Sequence, residues 1–230
     1  MKIGGIQKTS LLDYPDKICA IIWTVGCNFR CPFCYNKDLV LNQIESLNEN
    51  EILSFLKKRK GKLDALCISG GEPLLNDDIF YFIEKVKKLN YLIKIDTNGY
   101  FPNKLKNLIN ENLVDYVSMD VKAPKNKYNI LSGVNVDISK INESINILKN
   151  DAFDYEFKTT VVPGYLDKED IIKIAKWLDG SNRYYIQQFK RNYSMISSEM
   201  KKIKPYTKTY LNEILTEIKP FFNNCKLRGV

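Results

Sequence analysis

The stretch KICAIIWTVGCNFRCPFCYN, Lys17–Asn36, joins a strand-like apolar run to a loop that is rich in cysteine. Its first part, Lys17–Val25, is the first of several apolar runs in the chain. The loop holds Cys27, Cys31 and Cys34, which are three of the chain's 6 cysteines. A disulfide pairs two cysteines and a closed structural zinc site takes four ligands, so three neighbouring thiols need another explanation.

Outward from this stretch, the chain alternates between strand-like runs and segments with apolar residues at helical spacing. Such alternation predicts a parallel sheet with right-handed crossovers, and six units are fewer than the eight of a closed barrel. We therefore expect an α/β fold, a partial, open (βα)6 barrel of TIM type with a short N-terminal cap. The six predicted strands are Lys17–Val25, Leu63–Ser69, Tyr91–Thr97, Val114–Val121, Asp154–Val162 and Arg183–Phe189.

A single domain is expected for all 230 residues, since 44% of them are hydrophobic and can form a large core. Residues 1–16 are predicted to form the cap, 17–189 the six-strand partial barrel and 190–230 a C-terminal helical segment. The N-terminus lacks the apolar core of a signal peptide, and no apolar run has the length of a membrane span. These features predict a soluble, cytoplasmic protein with reduced thiols.

The amino-acid composition limits the catalytic mechanisms and partners that the chain can have. The chain has 0 histidines, which removes the commonest metal ligand and the commonest general base. The net charge of +8 comes from scattered lysines, so it indicates a solvated surface rather than a nucleic-acid footprint. Attraction to an acidic protein partner is a further interpretation.

Each predicted strand ends in a short motif with unusual residues. Any one of these motifs could simply form a turn. The carboxyl ends of parallel barrel strands meet at one rim, however, so six motifs in phase indicate a site there. In chain order they are the cysteine loop, SGGEP (Ser69–Pro73), DTNG (Asp96–Gly99), MDVKAP (Met119–Pro124), VVPG (Val161–Gly164) and QQF (Gln187–Phe189).

Two metal chemistries suit the cysteine loop. A zinc site would need a fourth ligand from Cys19, Cys67 or Cys225, each of which is more simply a small buried hydrophobe. In an iron–sulfur site, three thiolates hold three irons of a [4Fe–4S] cluster and leave the fourth iron open.

The C-x3-C-x2-C spacing with Phe33 before the last cysteine, the GGEP motif and the six-unit half-barrel resemble the radical S-adenosylmethionine (SAM) enzymes over most of the chain. The resemblance implies a [4Fe–4S] cluster on Cys27, Cys31 and Cys34, with SAM on the open iron. In that family a reduced cluster cleaves SAM to a 5′-deoxyadenosyl radical, so no side chain is expected to be catalytic by itself.

A narrower resemblance concerns GIQKTSLLDYPDK, Gly5–Lys17, which is similar to the opening of the activating proteins of anaerobic ribonucleotide reductases. CPFCYN, DTNG, DVK and VVPG are similar to motifs of glycyl-radical-enzyme activases. These motifs imply an oxidoreductase that takes a hydrogen atom from a glycine of a partner glycyl radical enzyme, with a low-potential electron donor such as a flavodoxin or ferredoxin. A radical SAM enzyme acting on a small molecule is the alternative, and a zinc-containing nucleic-acid-binding module is a remote one.

The resemblance also implies contacts with SAM. Gly70 and Gly71 would let the backbone approach the methionine part, and Glu72 would accept from the ammonium. Phe33 and Tyr35 would border the adenine. Tyr35 stands where relatives often have histidine, so a proton acceptor is missing there.

Asp96 and Asp120 are expected to lie by the SAM carboxylate and to hold a cation there. The other expected SAM contacts are Cys34, Val121, Lys122, Val162 and Gln188.

Overall fold

The computed structural model describes residues 1–150 and 153–230. In this part of the chain, 8 strands are hydrogen-bonded in the order β1-β2-β3-β4-β5-β6-β7-β8. This linear order is that of an open sheet, and it confirms the expected α/β class. The strands are β1 (Ile3–Ser10), β2 (Cys19–Thr24), β3 (Ala65–Gly70), β4 (Leu92–Thr97), β5 (Tyr116–Asp120), β6 (Tyr155–Val161), β7 (Ser181–Gln188) and β8 (Phe222–Arg228).

Helices follow the parallel strands as the periodicity predicts. Asp167 forms a capping box with Asp170 at the start of the helix Lys168–Trp177. None of the helices in the described residues is long and apolar enough to cross a bilayer. The helices are α1 (Lys37–Val40), α2 (Glu49–Lys58), α3 (Ile79–Lys87), α4 (Pro102–Asn110), α5 (Tyr128–Ser132), α6 (Ile138–Asn150), α7 (Lys168–Trp177) and α8 (Lys208–Ile218).

The six strands predicted for residues 17–189 correspond to β2–β7, and the structure adds one strand on either side of them. Residues 1–16, expected to be only a cap, contain β1, and the segment 190–230, expected to be helical, ends in β8. The sequences of these strands, IGGIQKTS and FNNCKLR, lack a strong apolar run because both bury only part of their side chains.

Contacts divide the chain into two compact units. The first unit comprises residues 1–28 and 38–118, and the second comprises residues 29–37 and 119–230. The single domain expected from the sequence stays a prediction.

In the first unit, β1 pairs antiparallel with β2, whereas β2, β3 and β4 are parallel. β2 and β3 are almost continuously apolar, as is typical of strands covered on both faces. One face of these strands carries a cluster that includes Cys19, Ile21 and Cys67, with Leu92 of β4 packed against it.

In the second unit, β6, β7 and β8 are parallel. Tyr184 of β7 is fully buried, and its ring stacks on that of Phe222 in β8 with the centroids 4.8 Å apart. Arg228 of β8 binds both carboxylate oxygens of buried Glu156, at 2.6 and 2.8 Å. These contacts attach the last strand to the strands before it.

Candidate functional site

The loops after β2 and β3 are joined by backbone hydrogen bonds in the first unit. The Gly71 amide donates to the Thr24 carbonyl at 2.9 Å, and the Glu72 amide donates to the Gly26 carbonyl at 2.8 Å. The SGGEP motif therefore lies directly against the start of the cysteine loop.

The two glycines of this motif are required by the chain's own backbone. A Cβ on Gly71 would lie 1.9 Å from the Gly26 carbonyl oxygen. A Cβ on Gly70, whose φ is +124°, would lie 2.3 Å from the Thr24 amide nitrogen. The sequence suggested room for SAM as the reason for both glycines, and the structure adds close strand packing as a second reason. Their contact with SAM stays a prediction.

Glu72 is fully buried and joins the end of β3 to the loop after β4. One carboxylate oxygen accepts from the Leu74 amide at 3.1 Å and from the Thr97 hydroxyl at 2.7 Å. The other oxygen accepts from the Asn98 amide at 2.7 Å. The carboxylate thus organises two strand-end motifs, and its predicted role as acceptor for the SAM ammonium would come in addition.

The Glu72→Gln variant is expected to unfold at a lower temperature than the wild type, even without cofactors. The NH2 group of the new carboxamide would face hydrogen-bond donors and not acceptors. A buried polar group without a hydrogen-bond partner lowers the free energy of unfolding by about 1–3 kcal/mol. Thermal denaturation followed by circular dichroism measures the effect, with exposed Glu84→Gln in α3 as the matched control. Equal melting temperatures for the two variants would show that the fold does not need this carboxylate.

Asn98 is a site residue that the sequence reasoning missed. Its side-chain amide donates to the Asn28 side-chain carbonyl at 2.8 Å and lies 3.9 Å from the Cys27 sulfur. N–H groups near cluster sulfurs tune the potential of iron–sulfur centres. The DTNG motif was noticed, but Asn-Gly is so common in turns that its side chain received no role.

The second unit contains the other two cysteines of the loop, Cys31 and Cys34. Burial raises the pKa of the Cys31 thiol to about 11, while the charge of Lys122 acts in the opposite direction. Burial also raises the pKa of the Cys34 thiol, again against the influence of Lys122. A cation near both thiols favours the thiolate form that metal ligation requires.

Lys122 stays protonated although it is partly buried, because neighbouring groups raise the pKa of its ammonium. Burial acts to lower its pKa, but the Asp120 carboxylate and the two thiols raise it overall. Its ammonium lies 3.4 Å from the Asp120 carboxylate, and the ammonium of Lys158 lies 3.9 Å from the same oxygen. The DVK motif therefore forms a charged pair, and the charge of Lys122 acts on both thiols. Contacts of Asp120 and Lys122 with SAM stay predictions.

The cysteine loop is held by three further segments of the second unit. The Arg30 amide donates to the Ser132 carbonyl at 2.8 Å, and the Ser197 amide donates to the Pro32 carbonyl at 2.9 Å. The Lys190 amide donates to the Tyr35 hydroxyl at 2.7 Å. Tyr35 therefore anchors the loop, and burial raises the pKa of its hydroxyl.

Gly133 is the second residue that the sequence reasoning missed. It follows α5 with a φ of +69°, and a Cβ there would lie 2.2 Å from the Arg30 carbonyl oxygen. A glycine after a short apolar helix predicts a helix end, but nothing in the sequence indicates that it packs on the cysteine loop.

The remaining predicted SAM contacts are mostly buried. Phe33 is buried, and Val121 and Val162 are fully so. Gln188 donates its amide to the Tyr206 carbonyl at 2.7 Å. Its side-chain oxygen is buried and has no hydrogen-bond partner among the described residues, so an acceptor is available there. Contacts of these four residues with SAM stay predictions.

The donor chemistry of the cysteine loop fits an iron–sulfur cluster. All of its cysteines are free thiols, and thiolates are the usual ligands of such clusters. In residues 1–150 and 153–230, no group of three Cys, Asp or Glu side chains is arranged so that it could hold a metal ion. Ligation by Cys27, Cys31 and Cys34, and a cation at Asp96 and Asp120, stay predictions.

A mostly parallel α/β sheet with three free thiols in the loop after its first parallel strand suits an enzyme of the iron–sulfur class. The chain belongs to the radical SAM superfamily, whose family model matches residues 21–178. It is therefore a radical SAM enzyme, and the family implies a [4Fe–4S] cluster and SAM as cofactors.

Individual relatives support this assignment. A Methanocaldococcus jannaschii protein, named as a candidate glycyl-radical enzyme activating enzyme, is 35% identical over 99% of this chain and 96% of its own length. The GTP 3′,8-cyclase of Staphylococcus epidermidis is 29% identical over 74% of this chain and 53% of its own length. The structure of Streptococcus suis SuiB bound to S-adenosylmethionine matches with a TM-score of 0.58 and 16% identity, over 88% of this chain and 45% of that one. At that identity the likeness confirms the fold alone.

Proposed function

We propose that this radical SAM enzyme activates a glycyl radical enzyme by taking a hydrogen atom from one of its glycines. The observation that carries the proposal is the match to the M. jannaschii protein, which extends over 99% of this chain and 96% of that protein. The match to the GTP 3′,8-cyclase extends over only 53% of that protein. It therefore supports a shared radical chemistry more than a shared substrate.

The chain's own residues have distinct parts in this function. Cys27, Cys31 and Cys34 would hold the cluster, and the ammonium of Lys122 would favour the thiolate forms of Cys31 and Cys34 against the opposing effect of burial. When bound, SAM and the reduced cluster supply a carbon-centred radical that can take a hydrogen atom from carbon. The absence of histidine is compatible with this chemistry, because it needs no general base.

An anaerobic ribonucleotide reductase is our first choice of partner. The reason is the segment Gly5–Lys17, which resembles the activating proteins of those reductases. Much of it lies in β1, and beyond that strand Leu11 and Leu12 are 71% and 92% exposed. The net charge of +8 suits an acidic partner or an acidic flavodoxin or ferredoxin donor, and such attraction should weaken as ionic strength rises.

Electron paramagnetic resonance tests the proposal. The reconstituted protein, SAM and a low-potential reductant are mixed anaerobically with the reductase from the same cell. We expect a glycyl-radical doublet, which should be absent when the partner's radical glycine is replaced by alanine. Vigorous SAM cleavage with no doublet on any glycyl radical enzyme would favour a small-molecule substrate. Tight nucleic-acid binding with no SAM cleavage would favour the binding module.

A further inference from the structure

Lys94 and Asp96 form a largely buried ion pair on one face of β4. Residues two apart in a strand point to the same side, and the Lys94 ammonium lies 2.6 Å from an Asp96 carboxylate oxygen. The side chains are 6% and 19% exposed. Lys94 pairs in register with Cys67, and Leu92 on the same face packs against the apolar cluster. A lysine in such surroundings loses hydration, so its charge must be compensated by what it contacts.

Asp96 is also fixed by its neighbours in the chain. Thr97 and Asn98, which follow it, both donate to the buried Glu72 carboxylate, at 2.7 Å each. The Asp96 carboxylate therefore lies at the end of β4 beside the loop expected to face SAM. The Lys94 ammonium is held at that place by the strand itself.

The ion pair does not fit the metal cation that was expected at Asp96 and Asp120, because it already places a positive charge on Asp96. A metal cation on this carboxylate would share it with an ammonium already at hydrogen-bonding distance, and two like charges on one carboxylate repel each other. A carboxylate with one positive charge beside it needs no second one for neutrality.

We propose that Lys94 takes the place of that cation: its ammonium neutralises Asp96, so SAM binds without a metal cation. This inference rests on the proposed function, because it assumes that SAM binds beside the strand-end loops. Lys94 is then a positioning residue that sets the charge next to the cofactor. It is not a catalytic residue.

The test measures the affinity of the cluster-loaded protein for SAM by isothermal titration calorimetry, independently of turnover. Titrations are made at equal ionic strength in potassium, sodium and choline chloride. The wild type is expected to bind SAM with the same affinity in all three salts, within about twofold. Lys94→Met removes the charge and keeps the length of the side chain, so it should bind about tenfold more weakly in choline and recover in potassium or sodium.

Two further variants serve as controls. Lys94→Arg keeps the charge and should remain insensitive to the choice of cation. Lys87→Met removes a different lysine of the first unit, whose ammonium lies 2.9 Å from the Asp115 carboxylate just before β5, and should behave as the wild type does.

Wild-type affinity that rises about tenfold from choline to potassium would overturn the inference, whether or not Lys94→Met folds. Unchanged affinity of folded Lys94→Met in choline would overturn it as well. Both of these outcomes leave the proposed function standing. A wild-type protein that binds no SAM in any salt would instead contradict the proposed function, and the inference with it.

Discussion

Replacing Cys31 by alanine is expected to reduce the iron content of the reconstituted protein to background and to abolish the formation of 5′-deoxyadenosine from SAM. The cofactor performs the difficult chemistry, so losing one of three cluster ligands should lower SAM cleavage by at least about 10³-fold. Iron analysis and chromatography of the SAM products measure the two effects. Alanine at Cys27 or Cys34 should give the same result.

Cys225→Ala is the matched control. Cys31 and Cys225 belong to the same unit and are each 7% exposed. Burial raises the pKa of both thiols, to about 11 and about 12 respectively. The two cysteines thus differ mainly in position, and Cys225→Ala should keep full iron content. Loss of the cluster in folded Cys225→Ala would contradict the assignment of ligands.

Cys19 and Cys67 test the same assignment in the first unit. Their sulfurs lie 3.5 Å apart, buried between β2 and β3. Alanine at either position should leave iron binding intact, because both side chains belong to the apolar cluster. A folded Cys67→Ala protein without iron would overturn this view of the spare thiols.

Gly71→Ala is expected to destabilise the cofactor-free protein by more than about 2 kcal/mol and to prevent cluster assembly. The added Cβ would lie 1.9 Å from the Gly26 carbonyl oxygen. This oxygen belongs to the backbone that leads into Cys27, so no side-chain rotation can relieve the clash. Urea denaturation measures the loss of stability, and iron analysis after reconstitution measures cluster assembly.

Gly5→Ala in β1 is the control for Gly71→Ala. Its Cβ would lie 3.3 Å from a ring carbon of Trp23, a side chain that can shift by a few tenths of an ångström. The variant should lose little stability and should still bind iron. If Gly71→Ala were as stable as Gly5→Ala, the close packing of the SGGEP loop on the cysteine loop would be wrong.

The sequence predicted the parts of the fold that are made by strong apolar runs. Strands β2–β6 have such runs because most of their side chains are buried. β7 is only partly buried, and the short run Tyr184–Ile186 was enough to predict it. β1 and β8 are only partly buried, and their mixed sequences gave no comparable signal.

Residues of the candidate site that belong to a recognisable motif could be predicted from the sequence. Residues that belong to the site only through a tertiary contact could not. The cysteine spacing and GGEP follow directly from the sequence. Asn98, Gly133 and Lys94 acquire their roles only from what lies beside them in space. From the sequence, Lys94 is an ordinary polar residue of a strand. Only the structure shows that its ammonium contacts Asp96.

Transfer of deuterium tests the central claim most directly. The partner enzyme is prepared with deuterium on the Cα of its radical glycine and is mixed anaerobically with the reconstituted protein, SAM and reductant. Mass spectrometry of 5′-deoxyadenosine should then show one added deuterium, matched by a glycyl radical on the partner. Unlabelled 5′-deoxyadenosine from a protein that turns over SAM vigorously with each glycyl radical enzyme tried would contradict the account.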